Sequence, residues 1–225
     1  MATAPLSVIV GVGDGLSASL ARQLAARGHS IVLAARNVDK FAPLAAATKA
    51  KSVRCDAASE ADVAALFAGL AQAPDVVVYN PSFRVRGPLV DLKPADVRKA
   101  LEVTAFGAFL VAQQAARLML PAKRGTILFS GASAGVKGYP QSAPFAMGKF
   151  ALRGLAQSMA RELHPAGVHI AHVVIDGGIR SAMRPDSGDN MLDPEAIAAS
   201  YLHLIDQPRS SWSWEIEVRP WVEKF

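Results

Sequence analysis

Two serines, a phenylalanine and a lysine lie close together in the middle of the sequence. The apolar run Thr126–Phe129 leads into a small-residue loop that carries Ser130 and Ser133, and a helix-like segment with Phe145 and Lys149 follows. Because Phe145 and Lys149 are four residues apart, a helix would place them on one face, with the lysine beside the ring. Such groups could hold a ligand. The two hydroxyls could equally satisfy neighbouring backbone groups, and the pattern leaves both interpretations open.

A glycine-rich turn near the N-terminus, residues 11–15, indicates a second binding element. The uncharged apolar run 7–10 leads into the turn, a helical pattern follows, and the apolar run 31–35 completes a βαβ unit. Glycines at such a crossover let backbone N–H groups and the helix N-terminus approach a pyrophosphate. A tight turn without a ligand is the alternative, but the flanking strand and helix favour a dinucleotide. The residues that we expect at this cofactor are Gly11, Gly13, Asp14, Gly15 and Leu16.

Two charges bear on which dinucleotide binds. Arg36 follows the second apolar run, where an arginine can pair with the 2′-phosphate of NADP and where NAD sites usually place an acid. Asp14 argues for NAD, because its carboxylate could repel that phosphate. The pairing of an arginine with a phosphate is the more specific contact. We therefore expect NADP(H), with NAD(H) as the alternative and a surface role as the other interpretation of Arg36.

The order of these features resembles the short-chain dehydrogenase/reductase family. Members carry Gly-x-x-x-Gly-x-Gly after the first strand, a serine at a strand end, and tyrosine-x-x-x-lysine on the next long helix. Gly11 and Gly15 match the first motif, and Ser17 stands at its third glycine. Lys149 matches the lysine, whereas Phe145 stands at the tyrosine. The resemblance covers nearly the whole chain through several partial motifs in the right order.

The resemblance implies roles for the central stretch. In the family the serine orients the substrate carbonyl, the tyrosine exchanges the substrate proton, and the lysine binds the nicotinamide ribose and lowers the tyrosine pKa. Ser133 is the candidate serine, with Ser130 as the second choice. Lys149 would retain the contact with the ribose.

Two replacements affect proton transfer. Phe145 has no ionisable proton, and the asparagine that holds a relay water in the family corresponds to Thr104. Tyr139, six residues before Phe145, is a candidate proton donor, and Asp176 is another. A packed or surface tyrosine is the simpler interpretation of Tyr139.

Further cofactor contacts are implied by the resemblance. The family has an aspartate that faces the adenine and an Asn-Asn-Ala-Gly turn beside the cofactor; Asp56 matches the first, and Asn80 matches the second in part. Both are also ordinary turn residues. Its Pro-Gly-x-(Val/Ile)-x-Thr motif holds the nicotinamide amide, and the polar segment after it, 182–193 here, forms a loop over the substrate. The residues that match this motif are Gly177, Ile179 and Ser181.

Composition limits the class of protein. A chain of 225 residues with 51% hydrophobic and 19% charged residues fits one well-buried domain spanning 1–225. The net charge of +5 is not concentrated in a basic run, so we expect no nucleic-acid partner. The single Cys55 excludes an internal disulfide and suits the cytoplasm. We also expect no metal site, no signal peptide and no membrane span, since the apolar segment 103–116 is short and interrupted by polar residues.

The elements that must position these residues alternate along the chain. Seven apolar runs separated by helical patterns predict an α/β fold with a doubly wound, mostly parallel, Rossmann-like sheet of seven strands and helices on both faces. The predicted strands are 7–10, 31–35, 52–55, 75–79, 126–129, 169–175 and 212–219. In the last strand, alternation would turn Trp212, Trp214, Ile216 and Val218 inward. The resemblance implies a homodimer or homotetramer that forms through helices 96–120 and 145–163.

Two functions are consistent with these features. The first is an NADP-dependent oxidoreductase that transfers hydride between the cofactor and a small carbonyl or alcohol with a non-standard proton donor. The second is a dinucleotide-binding protein with little or no turnover that acts as a sensor or assembly partner. Loss of a general acid typically costs about 10²–10⁴ in rate, whereas hydride transfer does not itself need the phenol. We therefore prefer the oxidoreductase, with a small-molecule substrate that the sequence does not identify.

Overall fold

The computed structural model describes residues 3–181, 184–186 and 188–224. One seven-stranded sheet, parallel throughout, has the strand order β3-β2-β1-β4-β5-β6-β7 and confirms the predicted architecture. The strands are β1 (Leu6–Val10), β2 (Ser30–Ala35), β3 (Lys51–Arg54), β4 (Val76–Tyr79), β5 (Thr126–Ser130), β6 (His169–Ile175) and β7 (Glu215–Val218). The chain reverses its direction of winding between β1 and β4, and sheets of this kind bind ligands above the strand ends at that point.

The central strands are apolar because both of their faces are covered. β1, β4, β5 and β6 are buried along their whole length. Successive side chains enter opposite core layers: Val8 and Val10 pack in one, and Ile9 packs in the other. The two layers hold the sheet rigid beneath the loops at its carboxyl edge.

Seven helices cover the two faces within the described residues. They are α1 (Leu16–Ala26), α2 (Ala42–Thr48), α3 (Glu60–Ala68), α4 (Pro94–Leu101), α5 (Gly107–Met119), α6 (Ala143–Leu163) and α7 (Pro194–Asp206). No helix was predicted from the sequence where α2 lies. None of the residues of α2 is fully buried, and its seven residues are too few to show a helical period in the sequence.

The predicted helix 96–120 is interrupted in its middle. A π-helical turn, Glu102–Phe106, separates α4 from α5. The hydroxyl of Tyr79, at the end of β4, donates a hydrogen bond to the carbonyl of Val103 inside this turn. π-Helical turns frequently occur at functional sites, and this one carries the buried Thr104.

The helical stretch Pro94–Ala122 is longer than the apolar segment 103–116, from which we predicted no membrane span. By length and composition alone, the helix Pro94–Ala122 could cross a membrane, with a mean hydropathy of 1.3. Half of its most apolar window is buried inside the fold, as in a core helix.

The last strand is shorter than predicted. Trp212 and Trp214 precede β7. Trp214 packs inward as predicted, although against the core layer opposite to that of Ile216. The ring of Trp212 stacks on His169 with centroids 4.8 Å apart, and its indole N–H donates to the carbonyl of Gln207 over 3.0 Å. Ile216, within the strand, does pack against the core, together with Val218.

Candidate active site

The carboxyl ends of the central strands surround a cavity of about 750 Å³, called here the large cavity. Its wall comes from the loops after β4, β5 and β6 and from the start of α6. The predicted site residues in this wall are Asn80, Ser130, Ser133, Tyr139, Phe145, Lys149, Asp176, Gly177 and Ile179. The fold therefore brings together groups that are up to a hundred residues apart in sequence.

A neighbouring cavity of about 350 Å³, the glycine-turn cavity, lies at the start of α1. The predicted cofactor residues in its wall are Gly13, Gly15, Leu16, Asn80, Ile179 and Ser181. Asn80, Ile179 and Arg184 line both cavities, so the two adjoin. Gly11, Asp14, Arg36 and Asp56 line neither.

The glycine turn is held by close packing and by two polar side chains. Gly11 has φ of +83°, and a Cβ there would lie 2.6 Å from the nitrogen of Pro81, so only glycine fits. The Ser17 hydroxyl donates to the carbonyl of Gly11 over 2.8 Å. The Asn80 amide donates to Ser17 Oγ over 2.8 Å and to the Gly11 carbonyl over 3.2 Å. Ser17, which stands at the third glycine of the family motif, thus ties the turn to Asn80.

Two other features of this turn favour an anion. A Cβ at Gly13 would meet nothing within 4 Å, so packing inside the protein does not demand glycine there, whereas close approach of a ligand would. The first turn of α1 contains no acidic residue. The partial positive charge at this helix N-terminus is therefore available to a phosphate.

Two residues expected at the adenine end of the cofactor, Arg36 and Asp56, follow β2 and β3. Asp14 lies in the glycine turn. Arg36 and Asp14 are both exposed, and within the described ranges Arg36 forms no ion pair. Asp56 accepts a hydrogen bond from the backbone N–H of Ala58 over 3.0 Å. Asp56 therefore stabilises its own turn, just after β3.

Lys149 is fixed at the end of β5. Its side chain is buried, and Nζ donates to the carbonyl oxygen of Ser130 over 2.7 Å. Burial disfavours the charged amine and lowers the pKa of Lys149 to about 8. Since an ammonium has three donors, others besides the one given to Ser130 can bind a ligand.

Phe145 lies between two cations. Lys149 Nζ is 5.7 Å from the centroid of its ring, and Arg84 Cζ is 4.8 Å from it. The negative face of an aromatic ring attracts cations at such distances. Phe145 therefore acts as a platform that holds Arg84 in the large cavity. Arg84 was not among the predicted site residues, although two arginines at the spacing Arg84-x-Arg86, just after Asn80, are a visible signal.

The two candidate serines have different partners. The hydroxyl of Ser130 is hydrogen-bonded to the hydroxyl of Tyr201 on α7 over 2.8 Å, and both groups are buried. Ser133 begins a short 3-10 turn in the wall of the large cavity. Its hydroxyl has no hydrogen-bond partner among the described residues, so it remains available to a ligand.

The two candidate proton donors also differ. The side chain of Tyr139 is 42% exposed at the mouth of the large cavity, with Lys137 Nζ 5.7 Å from its ring centroid. The Asp176 carboxylate is buried, 3.3 Å from Lys137 Nζ and 3.6 Å from Arg219 Nη2. Asp176 is thus an ion-pair anchor, and Tyr139 has the freer side chain.

The segment after β6 reaches across to the glycine turn. A Cβ at Gly15 would lie 3.9 Å from Cγ2 of Ile179, and Gly177 has φ of +145° with Pro220 packed against it. The backbone N–H of Ser181 donates to the carbonyl of Arg184 over 2.9 Å. The predicted loop 182–193 lies partly outside the described residues, at positions 182, 183 and 187.

Thr104 fixes the packing of the π-helical turn. Its hydroxyl accepts a hydrogen bond from the backbone N–H of Phe83 over 3.4 Å. A Cβ at Gly148, the residue before Lys149, would lie 2.9 Å from Thr104 Cβ. Thr104 therefore supports both the loop after β4 and the helix that carries Lys149. Within the described ranges, no three His, Cys, Asp or Glu side chains are grouped so that they could hold a metal ion.

Comparison with known proteins identifies the family to which this chain belongs. The family model for short chain dehydrogenases matches residues 6–191. The crystal structure of a short-chain dehydrogenase from Rhodopseudomonas palustris is 35% identical, covers 96% of this chain and 99% of that one, and has a TM-score of 0.86.

Two more relatives also match nearly the whole chain, at lower identity. A metagenomic short-chain oxidoreductase solved in complex with NADP is 29% identical over 96% of this chain and 97% of that one, with a TM-score of 0.83. An uncharacterized oxidoreductase of Staphylococcus aureus strain N315 is 27% identical over 97% of this chain and 98% of the relative. Since the family model matches most of the chain and these relatives match nearly all of it, the chain belongs to the short-chain dehydrogenase family.

Proposed function

We propose that the protein is an NADP(H)-dependent oxidoreductase that transfers hydride between the nicotinamide and a small carbonyl or alcohol. The observation that carries this proposal is the position of Lys149. Its buried amine is held at the end of β5, in the same cavity as the free hydroxyl of Ser133, and this cavity adjoins the glycine turn. A protein that only bound the dinucleotide would need the amine of Lys149 but not the hydroxyl of Ser133.

The residues present fit a dinucleotide. The open space at Gly13 and the acid-free start of α1 suit its pyrophosphate. Arg36, exposed at the end of β2, favours the 2′-phosphate of NADP over the hydroxyl of NAD. A relative at 29% identity is described as an NADP complex, which supports the same preference.

The chemistry is divided between the cofactor and this chain. When bound, the nicotinamide would supply or accept the hydride. Lys149 would bind the ribose, and Ser133 would orient the substrate carbonyl by donating a hydrogen bond. Phe145 gives no proton, so the proton must come from another group, for which Tyr139 is the available phenol in the cavity wall.

The surface of the two long helices supports a homodimer. Phe106 and Phe109 are 48% and 41% exposed and stack on each other with centroids 6.2 Å apart. On α6, Met147 and Phe150 are 47% and 46% exposed. A second copy would bury these apolar side chains. We retain the cytoplasm as the proposed compartment, without a nucleic-acid or membrane partner.

The second function, dinucleotide binding with little turnover, is favoured by Phe145 and Thr104, since both stand at family positions that handle protons. One experiment separates the two. Titration of NADPH and NADH against the protein would measure binding, and oxidation of the bound cofactor would then be assayed with a panel of aldehydes and ketones. Binding without turnover of any carbonyl would refute the oxidoreductase and leave the binding protein.

A further inference from the structure

We propose that the substrate of this site is an anion, a carbonyl compound that carries a carboxylate or phosphate group bound by Arg84 and Arg86. This inference rests on the proposed function and names the class of molecule on which it acts. Both arginines belong to the loop between β4 and the 3-10 turn at Leu89–Asp91, called here the arginine loop (residues 80–88).

The arginine loop is anchored on both sides of the two arginines. The backbone N–H of Phe83 donates to Thr104 Oγ1 over 3.4 Å, and Lys99 Nζ lies 4.9 Å from the centroid of the Phe83 ring. The backbone N–H of Gly87 donates to the carbonyl of Gln141 over 3.1 Å, just before α6. Arg84 and Arg86 lie between these contacts, so the fold brings them to the large cavity.

Neither arginine has an acidic partner among the residues that the structure describes. Arg84 instead lies over Phe145, with its guanidinium carbon 4.8 Å from the ring centroid. Arg84 remains exposed, but partial desolvation lowers its pKa, and the charges of Arg86 and Arg184 lower it further. An anion placed between these cations would relieve their mutual repulsion and accept charge-assisted hydrogen bonds.

The acidic residues in the wall of the large cavity do not neutralise the charges of Arg84 and Arg86. The carboxylate of Asp176 is already paired with Lys137 and Arg219. Glu223 is the other acidic residue in the wall, which also contains Arg84, Arg86, Arg184 and Lys149. The large cavity therefore carries an excess of positive charge.

The cofactor does not account for this excess. Arg184 lines both cavities and Arg180 lines the glycine-turn cavity, so these two lie where cofactor phosphates would bind. Arg84 and Arg86 line the large cavity and not the glycine-turn cavity. They are therefore left for a ligand that enters on the side of Phe145 and Ser133.

The test measures binding as well as turnover. Calorimetric titrations would use the complex with NADP⁺ and two pairs of probes: 4-oxopentanoate with its methyl ester, and dihydroxyacetone phosphate with dihydroxyacetone. Each anion should bind at least about tenfold more tightly than its neutral partner, and added salt should reduce the difference. The pair with the larger ratio identifies the carboxylate or the phosphate as the preferred group.

Matched variants assign the effect to the arginines. The double substitution Arg84→Gln and Arg86→Gln should abolish the preference for the anion while NADP⁺ affinity is retained, and Arg84→Lys with Arg86→Lys should restore part of it. Arg161→Gln, on the exposed face of α6, makes the same kind of change away from the cavity and should have no effect.

Failure of this inference is distinguishable from failure of the proposed function. Equal binding of the anionic and neutral probes, no binding of either anion, or an unchanged preference in the Gln variants would overturn the anionic substrate, even if neutral carbonyls are reduced. Selective binding of anions without any turnover would support the anion site and refute the oxidoreductase.

Discussion

The amine of Lys149 and the carbonyl oxygen of Ser130 lie 2.7 Å apart, which joins the middle of α6 to the end of β5. The hydroxyl of the same serine is bonded to Tyr201 on the other side of the sheet. The carbonyl and the hydroxyl of Ser130 are thus both used to hold the fold. This leaves Ser133 and the remaining donors of Lys149 to face the cavity, where a ligand would meet them.

Replacing Lys149 should weaken cofactor binding without unfolding the protein. Lys149→Met keeps an unbranched side chain of similar length. It removes a buried charge but also the hydrogen bond to Ser130, so the two effects oppose each other and the melting temperature should change little. Loss of a charged hydrogen bond to the ribose should raise the NADPH dissociation constant by about 10–100-fold. Fluorescence titration measures this constant. An unchanged constant would show that Lys149 serves only to hold Ser130.

Cofactor affinity should also depend on the protonation of Lys149. Because burial lowers the pKa of this amine to about 8, it is charged at pH 7 and largely neutral at pH 9.5. NADPH binding should therefore weaken as the pH rises, with a midpoint near 8. The Lys149→Met variant provides the control, since its titration curve should lack this step. The same step in the variant would assign it to another group.

Restoring the phenol should increase carbonyl reduction. Phe145→Tyr adds a hydroxyl on a ring that already lies beside Lys149 and in the wall of the large cavity. Since a positioned general acid contributes about 10²–10⁴ in rate, even partial alignment should raise kcat measurably. Phe145→Leu is the control for changes in packing and for loss of the platform under Arg84. If neither variant exceeds the wild-type rate, other parts of the site have changed as well, with Thr104 the first to test.

Much of this site could be predicted because its signals are local. The spacing of Phe145 and Lys149, the glycine turn and the capping aspartate of α7 each depend on a few neighbouring residues. The structure shows the cap of α7, with Asp193 accepting a hydrogen bond from the backbone N–H of Glu195 over 3.0 Å. It also confirms the bounds of β6 at His169–Ile175, where an apolar run is buried on both faces.

The parts that were missed depend on distant contacts. The π-helical turn follows an apolar pattern like that of the helices around it, and its bond with Tyr79 links residues 24 positions apart. Trp212 leaves the strand pattern because it packs on His169, which belongs to another strand. Arg84 is a surface residue by local pattern and becomes a cavity residue only when the fold places Phe145 beneath it.

Charging the exposed aromatic pair should separate the subunits of a homodimer. Phe109→Glu places a carboxylate on the exposed apolar surface of α5, beside Phe106, where burial against a second copy would be costly. Sedimentation should then show a monomer that retains the wild-type helical content. Trp221→Glu is the matched control, because Trp221 is 80% exposed and lies near the C-terminus. A wild-type protein that sediments as a monomer would contradict the prediction outright.

Stability should fall in acid because of His172. Its ring is fully buried, its Nδ1 is 3.0 Å from Glu215 Oε2, and its Nε2 has no partner among the described residues. Burial lowers the pKa of His172 to about 4. Glu215 raises this pKa in part, whereas the charges of Lys149 and Arg153 lower it further. His172 takes up a proton near pH 6.5 in the unfolded chain, but only near pH 4 in the folded chain. The unfolded state therefore binds more protons in this window, and the free energy of unfolding should decrease as the pH falls through it, by about 3 kcal/mol at most.

Urea denaturation at pH 7.0, 6.0, 5.0 and 4.5 tests the role of His172 against a matched variant. His172→Gln keeps an amide that can donate to Glu215 but cannot take up a proton, so its stability should change less over this range. The exposed His203→Gln on α7 should keep the wild-type profile. A residual slope should remain in the His172 variant, because burial also lowers the pKa values of His29 and His169. If the slopes of wild type and His172→Gln coincide, the buried ring is not the group that makes the fold sensitive to acid.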